Sequence, residues 1–535
     1  MAASADARPN VARAGGIMML SLLLSRILGT VRDMVMAGLF GSTRYTDAYG
    51  LAFAIPDLLF FLIAGGALSS AFIPVFSEYL HTDREDEAWH VFSVVTTVMS
   101  IAVAVLIVAA WVFAEPLAHL VAPGKSPELV PLIALMSRIV LPAQFAFFIG
   151  GLMFGTLYAR QVFAAPGLGP NVYNVCIIGG AIFLSGFFSP GIIGMSWGAL
   201  IGAFVGNIAI PYLAMRRLGS HFSFSLDLKH PGVRKVFVLM LPVVLGLSLP
   251  GVYALIMRGF ASFYRDGVNT YIDLSNRLMQ APLGILGQSL AIAVFPALSQ
   301  YFAQKRMDLY RGQLAASMRT VVYLSVPVSV LMAALAPQIV GVLYHHGHFT
   351  AEDTAAVAAL LRAFCIGIFA WCLHPVLMRG FFAIQHTRTP IVIGTLTTVL
   401  FVGLVLVLRT TSLGVLSLPL ASSVSAILLA IGMTIAAQRK LEGLDWPSVV
   451  RTLALSALAS VPVWGLGAFA LASPFGSYAA SGKGPMVAFV LVVGGVCAAL
   501  YLGLTVMLKM PESDYVRRTL RRARASLGYV PPESP

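Results

Sequence analysis

The sequence predicts an all-α polytopic membrane protein with about 14 transmembrane helices. Three observations carry that expectation. Of 535 residues, 58% are hydrophobic, only 11% are charged, and mean hydropathy is +0.87, against roughly 25% charged residues in a soluble domain. Apolar runs long enough to cross a bilayer recur from one end of the chain to the other. Lys and Arg gather in alternate connections between those runs, as the positive-inside rule requires. In lipid each backbone N–H and C=O must bond within its own segment, so the spans are expected to be helices.

The first seven runs are 15–39, 49–76, 91–113, 130–157, 172–187, 192–215 and 236–260; the second seven are 271–298, 318–343, 355–382, 391–408, 413–436, 449–471 and 486–507. The first follows a basic start (Arg8, Arg13). It is too long for a secretory signal, carries two arginines and lacks a small-residue cleavage pattern, so it is expected to stay in the mature chain. The fifth is short and the sixth begins soon after it; they are read as two spans rather than one re-entrant feature. With the N-terminus inside, the outer loops hold only Arg44, Lys125, Arg265, Arg409 and Lys483. The inner segments hold Arg216, Arg217, Lys229, Arg234, Lys235 and the Arg517–Arg524 tail. Both termini are therefore expected in the cytoplasm. The net charge of +13 is spread over many short loops, which suits anionic lipid headgroups rather than nucleic acid.

An internal repeat sets the expected architecture. Leu68, Ala71, Pro74, Ser77 and Tyr79 match Leu290, Ala293, Pro296, Ser299 and Tyr301 at an offset of 222 residues. Tyr49 meets Tyr271, and Gly65 meets Gly287, at the same offset. Six spans is an even number, so the two halves share one orientation. Two parallel six-helix lobes around a central cavity are expected, at 1–220 and 221–440. Two further helices occupy 441–510, and a cytoplasmic basic tail runs over 511–535.

Charge inside the spans carries the chemistry. An ionised side chain at mid-bilayer costs at least about 2.5–3.5 kcal/mol on insertion scales and normally faces a wet cavity. The basic residues in spans are Arg26, Arg32, Arg138, Arg258, Arg277, Arg319, Arg362 and Arg379; the acids are Asp33, Asp57 and Asp273, with Asp47 at an outer helix start. Arg138, Arg319 and Arg362 lie near helix ends, where snorkelling accounts for them. Arg26 lies near the middle of its span. An Arg32–Asp33 ion pair is the plain alternative to a functional pair, but neighbours in sequence do not share a helix face. The positive surplus asks for an anion, and guanidinium suits phosphate because its fork donates two parallel hydrogen bonds and stays charged.

Other motifs are set aside. Gly194-Met-Ser196-Trp-Gly198 matches G-x-S-x-G but opens a membrane helix rather than a strand-to-helix elbow. Gly198, Gly202 and Gly206 read instead as a close-packing stripe. His345, His346 and His348 lack a further ligand and read as a solvated loop, so no metal site is expected. Cys176, Cys365, Cys372 and Cys497 read as small core residues. No P-loop is present, which counts against ATP-driven transport by this chain alone. Neither catalytic residues nor a cofactor is expected.

At these residues the sequence resembles a known family. Ser25-Arg-Ile-Leu-Gly-Thr-Val-Arg-Asp33, Thr46-Asp-Ala48, Ala67-Leu-Ser-Ser-Ala-Phe-Ile-Pro74, Asn276-Arg-Leu-Met-Gln-Ala-Pro-Leu-Gly284 and Gly347-His-Phe-Thr350 are similar to segments of the MurJ (MviN) lipid II flippases of the MATE-like superfamily. The resemblance implies a non-enzymatic flippase of an undecaprenyl-pyrophosphate-linked peptidoglycan precursor, working by alternating access in a bacterial inner membrane. It implies substrate-binding roles for Arg26, Arg32, Arg277, Asp33, Asp47 and Asp57, and a lipid-tail groove in the last two helices. It implies a monomer in contact with membrane lipids and, among proteins, with cell-wall synthesis partners. Departures from the family pattern are Phe60-Phe61 for a basic pair, Gly65 and Gln280 for glutamates, and Asp57 for Asn. The seventh and eleventh helices lack the aspartates of a sodium site. The rival readings are a MATE-like antiporter of drugs or metabolites, or a flippase of another polyprenyl-linked glycan.

Overall fold

The computed structural model describes the backbone of residues 7–63, 67–80, 82–479 and 481–514, and every described element is helical. In chain order the main helices are α1 (Ala7–Phe40), α2 (Arg44–Ala52), α3 (Ala54–Ile63), α4 (Ala67–Leu80), α5 (Glu85–Val112), α6 (Val130–Ala159), α7 (Ala164–Phe187), α8 (Ile193–Arg216) and α9 (Pro231–Ala261). There follow α10 (Val268–Ala303), α11 (Met307–Ala334), α12 (Ala351–Cys365), α13 (Ile368–Ala383), α14 (Arg388–Leu408), α15 (Gly414–Leu441), α16 (Trp446–Ala472) and α17 (Lys483–Met507). Among the described residues ten helices are long and apolar enough to cross a membrane, and the α12–α13 pair, bent by 48°, makes up to eleven. The chain is thus a multi-pass membrane protein. The other expected spans fall on α1, on α9 and on the segmented α2–α4. Gly65 and most of the basic tail lie outside the described residues.

The run 49–76, read as one span, is not one helix. Helix α2 stops at Ala52 and α3 starts at Ala54. Pro56 is the cause: its ring lacks an N–H and crowds the carbonyl four residues back, that of Ala52. The Ser137 hydroxyl donates to this freed carbonyl at 2.9 Å. The tenth run breaks in a similar way at Ile366–Gly367, where the Ser423 hydroxyl donates to the Ala363 carbonyl at 2.8 Å. In both places a serine from another helix donates to a carbonyl at the break.

Two arginines assigned to snorkelling do something more definite. Arg138 Nε donates to the Trp111 carbonyl at 3.1 Å, and Arg362 Nε donates to the Ala333 carbonyl at 3.1 Å. Each places a cation on the exposed C-terminal carbonyls of α5 or α11, where the helix dipole is negative. The two arginines are related by nearly the offset of the sequence repeat, as are their acceptors. Arg319 is likewise an ion-pair residue, 3.2 Å from Glu512 and 3.8 Å from Asp445.

Helices α7 and α8 pack at backbone distance. A Cβ on Gly198 would lie 2.4 Å from the Cys176 carbonyl oxygen, and one on Gly206 would lie 2.6 Å from that of Gly169. The stripe is therefore a packing surface, and Ser196 is fully buried within it. Gly198→Val is expected to cost about 1–3 kcal/mol by overpacking and to lower the thermal midpoint in detergent. Gly186→Val, at a position with no atom within 4 Å, is expected to leave the midpoint unchanged.

The chain separates into two compact units, residues 1–270 with 346–350, and 271–345 with 351–535. In the second unit α16 and α17 pack on α11 through Val463, Phe489, Val493, Cys497 and Tyr323. The Tyr501 hydroxyl donates to the Tyr323 carbonyl at 2.7 Å and lies 3.1 Å from Ser456 Oγ. Cys365, Cys372 and Cys497 are buried, and Cys176 is half-buried.

Candidate functional site

Helix α1 runs unbroken through Arg26, Arg32 and Asp33. Arg26 is exposed among Leu22, Leu23, Leu24 and Ile27, which are exposed too. Its guanidinium has no acceptor among the described residues. Arg32, by contrast, is organised. Its Nε and Nη2 donate to Asp33 Oδ1 at 3.1 and 3.0 Å, and its Nη1 donates to Asn174 Oδ1 at 3.1 Å.

The expectation that adjacent residues would not pair was therefore wrong here. The rule concerns side chains projecting straight from the helix. An arginine is long enough to fold back along it and present its edge to the next carboxylate. Asp33 is buried and the Arg32 side chain is 17% exposed. Of five guanidinium N–H groups, three are committed, which leaves one on each Nη for a third acceptor.

Sequence reasoning missed Asn174. It lies on α7, and its amide nitrogen donates to the Pro170 carbonyl at 3.0 Å, which turns its oxygen toward Arg32. The same bond to the carbonyl four residues back is made by Asn171 to Gly167 and by Asn207 to Ala203, so it is a general habit of helical asparagines here.

Asp47 was expected among substrate contacts, and the structure places it in a saturated knot instead. It is fully buried. Its Oδ2 accepts from Lys125 Nζ at 2.7 Å and from the Gly267 N–H at 2.8 Å. Its Oδ1 accepts from the Thr270 N–H and the Thr270 hydroxyl, both at 2.8 Å. Gly267 and Thr270 bracket the first turn of α10, whose N–H groups have no partner within the helix, so the carboxylate acts as the cap. Lys125 also reaches Asp266 at 3.2 Å and is itself 2% exposed. With four donors satisfied, Asp47 has no oxygen to spare for an incoming ligand in this arrangement.

Asp57 is 46% exposed and pairs with Arg258 at 3.1 Å. Arg277 is exposed on α10. In the first unit Arg32, Asp33 and Asn174 thus come together, Asp47 and Asp57 have separate partners, and Arg277 belongs to the second unit. The Phe60 ring meets the edge of Phe147 at 6.5 Å between centroids.

The histidine loop is not merely solvated. The His348 N–H donates to the Gly38 carbonyl at 2.9 Å, and Gly347, at φ +59°, has no room for a Cβ against the Gly38 backbone. Gly124, in the corresponding loop of the first half, has its own would-be Cβ 2.5 Å from Phe263 Cα. Each loop therefore abuts a helix end through a glycine. Gly347→Ala combines a forbidden contact with an unfavourable φ, so a destabilisation of at least about 1–3 kcal/mol is expected, measurable as a lowered thermal midpoint. Among the described residues no group of three or more His, Cys, Asp or Glu is arranged to hold a metal.

Comparison with known proteins gives a consistent result. Residues 36–480 match the family described as Lipid II flippase MurJ. A probable lipid II flippase MurJ of Buchnera aphidicola is 30% identical, over 69% of this chain and 73% of that protein. The lipid II flippase MurJ of Burkholderia cenocepacia is 29% identical, over 70% and 73%. A solved structure titled Lipid II flippase MurJ, inward closed conformation, superposes with a TM-score of 0.75 at 22% identity, over 92% of this chain and 98% of that one. An inward-facing multidrug resistance MATE family transporter of the MOP superfamily gives 0.66 at 16% identity, over 80% and 99%. At these identities the structural likenesses establish the fold.

Proposed function

We infer the activity from one premise, that the chain belongs to the lipid II flippase MurJ family: it moves the undecaprenyl-pyrophosphate-linked peptidoglycan precursor from the inner to the outer leaflet of a bacterial cytoplasmic membrane. It does so as a transporter, without making or breaking a covalent bond. In this reading two lobes, 1–220 and 221–440, open alternately to either side, and residues 441–510 carry the polyprenyl tail. Both termini are cytoplasmic and the working unit is a monomer, which hands its cargo to cell-wall synthesis proteins.

The observation that carries the reading at the level of residues is the half-committed fork of Arg32. A guanidinium held on two sides by Asp33 and Asn174 is pre-oriented for a third, anionic partner, which lowers the ordering cost of binding. Arg26 and Arg277, exposed cations on α1 and α10, supply the remaining charge for a pyrophosphate. Asp33 sets the orientation of Arg32, Asp47 holds the α10 terminus, and Asp57 holds Arg258. An inside-negative potential acts on each anionic charge with about 2.3 kcal/mol per 100 mV, which favours outward movement of the loaded site and inward return of the empty cationic one.

Proteoliposomes containing a fluorescent polyprenyl-pyrophosphate glycolipid test this. Arg26→Ala and Arg277→Ala are each expected to reduce flipping about tenfold or more, the value of one lost charge-assisted hydrogen bond, with insertion into the vesicle unchanged. A potassium-diffusion potential, negative inside, is expected to accelerate the unsubstituted protein. Full activity in both variants would overturn the arginine reading, and transport of soluble drugs in place of the lipid would favour a MATE-like antiporter.

A further inference from the structure

The connection between α8 and α9, residues 217–230, has an unusual surface. From Phe222 to Asp227 it has no regular secondary structure, a turn follows in which the Leu228 N–H donates to the Leu226 carbonyl at 2.8 Å, and the sequence alternates Phe222, Phe224, Leu226 and Leu228 with Ser223, Ser225 and Asp227. The four apolar side chains are 59%, 72%, 56% and 55% exposed. Polar groups make the contacts to α5, although Ser223 and Asp227 are themselves exposed. Asp227 lies 3.5 Å from His90, Ser225 is half-buried, and the Ser223 N–H donates to Ser93 Oγ at 3.1 Å. At its end His230 accepts from the Gly232 N–H and so caps α9. The segment is thus held to the protein through polar groups while its four large apolar side chains stay exposed. In water that arrangement invites aggregation.

We propose that this segment is an interfacial anchor that inserts Phe222, Phe224, Leu226 and Leu228 into the headgroup–acyl boundary of an anionic leaflet. Three observations select that occupant. The first is level: Ser93 lies about 12 Å along α5 from Glu85, at 1.5 Å per residue, whereas a headgroup layer is roughly 5–7 Å thick on each side. Helix α5 begins with Glu85, Asp86 and Glu87, which belong in water, and is apolar enough to cross a membrane. A segment pinned at Ser93 therefore lies where apolar chains begin. The second is charge: Arg216, Arg217, Lys229, Arg234 and Lys235 flank the segment and are exposed, and such clusters attract anionic lipid. The third is continuity, because α8 is itself a membrane-crossing helix that ends at Arg216. The basic residues also disfavour the chain's own Arg517–Arg524 tail as the cover, since like charges would meet. The anchor would tether the link between the two halves of the sequence to the membrane surface. This inference needs only the membrane-spanning character of α5 and α8, so it stands apart from the flippase reading.

Spin labels on single cysteines placed at positions 222 to 228 test it, in nanodiscs of phosphatidylcholine with and without phosphatidylglycerol. The background is taken from the unsubstituted protein. Phe222→Cys, Phe224→Cys, Leu226→Cys and Leu228→Cys labels are expected to collide more with oxygen than with a water-soluble nickel chelate. A label at Ser225→Cys, the half-buried position, is expected to collide with oxygen less than the four apolar-position labels do. The depth reading at position 224 is expected to increase with phosphatidylglycerol and to become shallower at high salt. Water-like accessibility at 224 in anionic nanodiscs would overturn the proposal. Dipolar broadening there would overturn it too, because it would mean that a second copy covers the segment. The flipping assay is not involved, so failure here leaves the proposed function untouched.

Discussion

Lys125→Met is expected to destabilise the protein by about 3–5 kcal/mol, the usual consequence of removing one partner from a buried ion pair. The reason lies with Asp47. Its carboxylate is fully buried, and among the described residues its one fully charged neighbour at hydrogen-bond distance is the Lys125 ammonium at 2.7 Å. The N–H groups of Gly267 and Thr270 would still donate to it, but dipoles alone do not repay the desolvation of a full charge. Asp47→Asn leaves the converse defect, tempered because the 56%-exposed Asp266 can still hold Lys125. Its cost is therefore expected to be smaller. The double variant Asp47→Asn with Lys125→Met removes both charges, so it should recover part of the loss and show strong non-additivity in a double-mutant cycle. Thermal unfolding in detergent measures all three. A Lys125→Met protein as stable as its parent would mean that the knot is solvated and that Asp47 is available to ligands after all.

How far the sequence was legible depended on the range of the determining interaction. Spans could be read because lipid obliges each backbone to satisfy itself locally, and a run of apolar residues is a local signal. Their ends were less legible. Helix α5 extends outward to Glu85 from an apolar run that starts at Val91, because acidic residues in the first turn suit the helix dipole and hydropathy cannot register that. The break at Phe53 has a visible cause in Pro56, although hydropathy continues across it. A proline in an apolar run says only that one carbonyl must find a partner elsewhere. The hydroxyl that serves it, Ser137, is 85 residues away.

The candidate site divides along the same line. That arginines mattered was readable from composition, because a guanidinium inside an apolar run is costly wherever the chain folds. Which arginine is organised was not readable. Arg32 owes its orientation to Asn174, 142 residues distant. Asp47 owes its burial to Gly267 and Thr270, more than 200 residues away. A charge inventory gives these acids equal standing, whereas geometry separates one that orients a cation from one that caps a helix. Arg138 and Arg362 show the reverse gain: snorkelling accounted for each alone, but the same carbonyl-capping bond in both halves ties them to the repeat.

Arg32→Lys is the substitution that isolates geometry from charge. Lysine keeps the cation but replaces a planar fork with a single ammonium. One Nζ cannot reproduce the Nε and Nη2 contacts to Asp33, the Nη1 contact to Asn174 and a bond to phosphate together. If pre-orientation is what Arg32 contributes, flipping should fall about tenfold to a hundredfold, equivalent to one charge-assisted hydrogen bond of about 1.5–3 kcal/mol, although no charge is lost. Asn174→Ala removes a single anchor and leaves the Asp33 pair intact, so a smaller loss, about threefold to tenfold, is expected. Asn174→Asp should be worse than Asn174→Ala, because a second carboxylate beside the guanidinium competes with the incoming anion. Initial flipping rates in proteoliposomes, normalised to inserted protein, give the order. Parent-like activity for Arg32→Lys would reduce Arg32 to a source of positive charge. Equal losses for the two Asn174 variants would mean that the asparagine supports packing against α1 rather than the orientation of Arg32.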